Sequence, residues 1–106
     1  MKKTNESDLN KAVVNQLNKI DNCYTYKRRG GVGNAGQPDV SGIYNGRRIE
    51  LEGKMWGKVP TTLQAKNLKL WRKYGAITGI YYSVEEAVDL VLNFKEDILN
   101  LLDSTY

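Results

Sequence analysis

The period of the apolar positions changes along the chain, and the changes divide it into elements. Leu9, Val13, Leu17 and Ile20 recur at steps of three and four, which predicts an amphipathic helix over residues 5–20. Thr4, Asn5 and Ser7 are all candidate caps for it. Residues 22–28 alternate instead, with Tyr24 and Tyr26 on one face, and predict a strand. Two further alternating runs flank Asn45-Gly46, the pair best suited to the positive φ angles of a type I′ hairpin. Thr61-x-x-Gln64 is a capping box opening a helix over 62–74, with Leu63, Leu70 and Tyr74 on its inward edge and Lys66, Lys69, Arg72 and Lys73 outside. Residues 76–82 read as a short buried strand. Ser83-x-x-Glu86 then opens a helix with Val84, Ala87, Val88, Val91 and Leu92 on its core face, interrupted at Asn93 or Asn100. The tail residues Ile98, Leu99, Leu101 and Leu102 exceed one apolar face and suit either core packing or a subunit contact.

The hairpin fixes its own register. Tyr44 faces Arg47, so paired positions sum to 91 and Asp39 lies opposite Glu52. Strand periodicity puts Glu50, Glu52 and Lys54 on that face and Val40, Ile49 and Leu51 on the other, the core side. Opposed like charges are destabilising. One resolution is a solvated face on which Arg48 and Lys54 pair the acids. The other is a divalent cation, because hard cations take carboxylate oxygens, water and phosphate oxygens. With Lys54 placed to orient or deprotonate a water, that is the layout of metal-assisted phosphodiester hydrolysis.

Composition narrows the chemistry. The 106 residues fit one domain. A net charge of +4 leans toward a polyanionic partner, although plain solubility accounts for it as well. One cysteine, Cys23, excludes an intramolecular disulfide and a thiolate–zinc cluster. The absence of histidine excludes Ser-His-Asp and Cys-His catalysis and His-ligated metals, leaving Asp, Glu, Lys, Tyr and water. No segment has the length and apolarity of a membrane span, no signal peptide is visible, and a cytoplasmic location is expected.

Several residues around the hairpin have two readings. Glu6 starts the inward stripe of the first helix and serves either its dipole or the metal. Gly53 marks either close approach of backbone and ligand, with its carbonyl a candidate metal ligand, or a bulge. Gln64 either bonds back to Thr61 or projects toward the metal and its water. Lys27, Arg28 and Arg29, candidate DNA contacts, precede the loop GGVGNAGQ. Its G-x-G-x-x-G match is followed by Pro38 and a strand rather than a helix, so it is no dinucleotide fingerprint. It reads as a flexible basic loop beside the site or as an ordinary exposed loop. Lys58 and Trp56 in the next loop, and Lys66 and Lys69 on the helix, are candidate nucleic-acid contacts or simply solvated.

Taken in order, Glu6, Gly36-Gln37-Pro38-Asp39, the Asn-Gly-Arg turn, Glu52-Gly53-Lys54, Gln64 and the Ser-x-Glu-Glu helix resemble the virus-type replication-repair nuclease (VRR-NUC) domain of the PD-(D/E)XK superfamily, in its standalone phage form. The resemblance spans about residues 5–92. It implies an α/β fold, a restriction-endonuclease-like α-β-β-β-α-β core with a mixed sheet flanked by helices, here with an extra C-terminal helix. It implies Mg²⁺ or Mn²⁺ as cofactor and cleavage of DNA, including branched DNA such as four-way junctions by a homodimer, in a host cytoplasm. Carried over by position, Asp39, Glu52 and the Gly53 carbonyl hold the metal, Glu6 completes or supports the set, Lys54 activates water and Gln64 assists. Glycine at 53, where the family has an aliphatic residue, and the extra acid Glu50 depart from the pattern. A non-catalytic DNA-binding module with a vestigial site and an RNA nuclease are the rival expectations.

Overall fold

A computed structural model describes residues 5–29 and 35–94. The elements run α1 (Glu6–Leu17), β1 (Cys23–Lys27), β2 (Val40–Tyr44), β3 (Arg47–Gly53), α2 (Thr62–Lys73), β4 (Ile77–Tyr81) and α3 (Val84–Leu92). The expected α-β-β-β-α-β order with an added helix is observed. The glycine-rich stretch 30–34 and the apolar tail 95–106 lie outside the described residues, as does Thr4.

Asn5 is the cap of α1; its Oδ1 accepts from the Asp8 amide at 2.8 Å, and Glu6 and Asp8 sit in the positive first turn. Leu9, Val13 and Leu17 are buried as the spacing predicts. Beyond the last turn, Asn18 bonds the Thr25 backbone through both ends of its amide, which ties the helix terminus to β1.

The sheet has the order β1-β2-β3-β4, antiparallel except for the parallel β3–β4 pair, which α2 connects. Asn45 and Gly46 take φ of 49° and 82°, as a type I′ turn requires. The pairs Val40–Leu51 through Tyr44–Arg47 all sum to 91, so the predicted register holds. Val40, Ile49, Leu51, Ile77 and Tyr81 join α1 and α3 in one core.

On the opposite face the solvated reading fails at β3, where Glu50 and Glu52 are both buried. On α2, Leu63, Leu70 and Tyr74 are exposed rather than inward, and Leu68 and Arg72 are the buried residues. The acids of β3 explain the inversion, since a helix laid over Glu50 and Glu52 meets charge rather than a wholly apolar surface. A helix about 10 Å wide also spans only about two strands at ~4.8 Å spacing. It packs on β3 and β4 and leaves Tyr24, Tyr26 and Ile43 of β1 and β2 exposed.

Gly53 is not a bulge, for it pairs in register with Tyr81. A Cβ there would lie 2.2 Å from Asn10 Oδ1 and 2.8 Å from the Tyr81 ring. The missing side chain is therefore replaced by the Tyr81 ring, whose hydroxyl donates to Asn10 Oδ1. Gly53→Ala is expected to cost about 1–3 kcal/mol through overpacking. Urea unfolding should show that Gly53→Ala with Asn10→Ala loses less than the two single changes added together, because the clash is shared. Additive losses would contradict this packing.

Candidate metal centre

The sheet register carries Asp39 and Glu52 to the same place from two strands. Asp39 immediately precedes β2; its carbonyl accepts from the Arg28 amide at 2.7 Å and its Oδ2 accepts from the Gly53 amide at 3.1 Å. Its carboxylate is thus held against the end of β3. Glu52 is 1 % exposed, and neither of its oxygens accepts a hydrogen bond. Lys54 Nζ stands 3.5 Å from Glu52 Oε2, and the Lys54 amide is fixed to the Tyr81 carbonyl at 3.0 Å.

A buried carboxylate without donors is costly. Burial first, and the adjacent Asp39 second, raise the Glu52 pKa to about 8, and the Lys54 ammonium offsets only part of that. Adjacent oxygen donors with two buried lone-pair sets unused suit a hard divalent cation, which would satisfy both and neutralise the Asp39–Glu52 repulsion. The residues present therefore fit Mg²⁺ or Mn²⁺. Among the described residues no group of three or more Asp, Glu, Cys or His side chains gathers for a metal, so Glu6 does not close a three-acid cage around this pair. Glu6 is half-buried at the start of α1, and its charge, after burial and those of Asp39 and Glu52, adds to the forces holding the Tyr81 phenol protonated.

Glu50 belongs to a separate cluster. Fully buried, it accepts from Arg28 at 2.9 Å, Ser41 at 2.7 Å and Arg48 at 2.6 Å. Arg48 in turn lies over the Trp71 ring, 4.9 Å from its centroid. The extra acid is a counterion that joins β2, β3 and the residue just after β1, and reaches α2 through Arg48. Its partner Arg28 is consequently drawn inward, with further bonds to Pro38 O and Ser41.

The other predicted site residues are spread more widely. Gln64 makes the cap, its Oε1 accepting from Thr61 N at 2.8 Å while its own amide donates to Thr61 Oγ1 at 3.1 Å. Lys27 donates to Ser7 Oγ at 2.7 Å. Arg29, Lys58 and Lys66 are exposed, and Lys66 and Lys69 border a shallow cup with Pro60, Thr61, Thr62 and Ala65 at the start of α2. Asn10 and Tyr81, which wall the inner side of Gly53, were not singled out by sequence. The glycine itself was the available signal, since an absent side chain in a core strand must be filled from elsewhere.

A scan of protein-family models finds no match for the sequence, and a search of curated proteins finds none either. Among solved structures the chain is similar to one described as a VRR_NUC domain protein, at 18% identity and a TM-score of 0.65, over 89% of this chain and 90% of that one. With a mixed four-stranded sheet and three helices among its described residues, the chain has the fold of a VRR-NUC domain.

Proposed function

We propose that the protein is a divalent-metal-dependent nuclease acting on DNA. The observation that carries this reading is Glu52, buried with neither oxygen hydrogen-bonded, beside Asp39 and 3.5 Å from the Lys54 ammonium. The likeness to a VRR_NUC domain protein supports it at the level of fold.

Asp39 and Glu52 would hold Mg²⁺ or Mn²⁺, with the Gly53 carbonyl as a further candidate ligand. A cation bound there supplies Lewis-acid polarisation of a phosphate oxygen and a lowered pKa for bound water. The Gly53 amide keeps the Asp39 carboxylate turned toward Glu52. Lys54 is anchored through its backbone to the end of β4, so its ammonium is fixed beside Glu52, where it can orient a water or carry a proton. Lys58, Lys66 and Lys69 supply phosphate contacts that position a strand without reading bases. Gln64 acts through the start of α2, whose first turn it closes. One chain carries one such site, so paired cuts across a four-way junction call for a two-fold dimer.

The test is a cleavage screen on duplex, flapped and four-way DNA, and on RNA, with and without Mg²⁺ and Mn²⁺. Cleavage is expected only with metal. Asp39→Ala and Lys54→Ala should each lower it by about a hundredfold or more while binding survives. Binding without cleavage in the unsubstituted chain, or variants as active as it, would overturn the reading. A mass measurement in solution tests the dimer.

A further inference from the structure

Immediately past Lys54 the chain builds a groove that the metal centre does not use. It occupies about 700 Å³ between α1 and the loop after β3, lined by Leu9, Ala12 and Gln16 on one side and Met55, Trp56 and Tyr82 on the other. Trp56 is 84 % exposed. Such a large apolar ring left in water is unusual on a tight turn, and this turn is firmly held. The Lys58 amide donates to the Met55 carbonyl at 3.0 Å, the Tyr82 hydroxyl donates to the Lys58 carbonyl at 2.7 Å, and the Tyr82 ring meets the indole edge to face, centroids 5.6 Å apart. The indole is thus presented in a fixed place with open surface.

We propose that this groove takes an unpaired nucleobase of the strand entering the metal centre, stacked on Trp56. The proposal rests on the nuclease reading and specifies its substrate. Two residues of chain span at most about 7 Å, so Trp56 stands next to Lys54 along the path of the backbone. Lys19 and Glu85 put one charge of each sign on the groove wall, and exposed Lys58, two residues past the indole, adds a cation beside it for a phosphate of the same strand. Every base has a π-face, so an aromatic platform holds a strand without sequence preference. A base inside a duplex is already stacked and paired, and withdrawing it is costly. A base in a flap or at a branch point is free to enter. The groove therefore selects for interrupted duplex.

The experiment is fluorescence anisotropy in EDTA, which separates binding from cleavage. It uses a labelled duplex, the same duplex with a single-stranded flap, and that flap with abasic nucleotides. The unsubstituted protein is expected to bind the flap about tenfold more tightly than the duplex, the scale of one base–aromatic stack. Trp56→Ala should bring that ratio close to one, and Trp56→Phe should keep most of it. Abasic nucleotides should weaken the unsubstituted protein to the same degree and weaken Trp56→Ala no further. A ratio unchanged by Trp56→Ala, or abasic flaps bound as well as normal ones, would assign the groove to a protein side chain or a second copy and overturn the proposal. In that event metal-dependent cleavage by the unsubstituted chain would persist and the nuclease reading would stand. Failure to bind any DNA or RNA would remove both.

Discussion

In metal-free solution at pH 9, Glu52→Gln is expected to melt at a higher temperature than the unsubstituted chain, and to fail to cleave DNA when metal is restored. The two results share one cause. In the unfolded chain Glu52 loses its proton near 4.5, and in the folded chain near 8. Between those values the folded state binds the extra proton, so stability falls as pH rises through that window. Above about 8 the folded protein bears the cost of an ionised, buried carboxylate that the Lys54 ammonium offsets only in part, on the order of several kcal/mol. Glutamine carries no charge and escapes that cost. The expected difference is thus large at pH 9 and small near pH 4.5. Mg²⁺ reverses it, because an ion that binds only the folded state stabilises the chain able to hold it. Thermal unfolding at the two pH values, with EDTA and with Mg²⁺, checks all four corners. Equal melting temperatures at pH 9 would mean that the buried carboxylate is not under strain.

Glu50→Ala has the opposite consequence. Glu50 is buried among two arginines and a serine, and deleting one partner of such a network leaves the others without compensation. A loss of about 3–5 kcal/mol is expected in urea unfolding. That is a large share of the stability of a small domain. Glu50→Gln keeps the shape and some of the bonds and should lose less. Because Glu50 lies outside the Asp39–Glu52 pair, the glutamine variant should bind metal as the unsubstituted chain does. A collapse of metal affinity in Glu50→Gln with the fold intact would place Glu50 in the centre after all.

These two acids mark the limit of what the sequence discloses. The Asn45-Gly46 turn determined the register, and the register alone placed Asp39 opposite Glu52. Parity on β3 then put Glu50 beside Glu52, but parity cannot separate their roles. The separation comes from Arg28, twenty-two positions away, which reaches back to Glu50 and not to Glu52. The same limit explains α2. Its period was legible, but which edge faced inward depended on the charged strand beneath it, so Arg72 is buried while Leu70 is exposed. At Gly53 the sequence showed a missing side chain but not the tyrosine that fills the space. Caps were legible where local: Thr61–Gln64 forms both halves of its box, whereas at Ser83–Glu86 the serine hydroxyl caps the Glu86 amide but the Glu86 carboxylate accepts from the Tyr82 amide instead.

Calorimetric titration of Mn²⁺ into the metal-free protein at pH 8 bears most directly on the pairing of Asp39 with Glu52. One ion per chain is expected, with a proton released as it binds, and at least a tenfold loss of affinity in Asp39→Asn and in Glu52→Gln alike. Unchanged affinity in both variants, or no binding to the unsubstituted chain, would contradict the shared site.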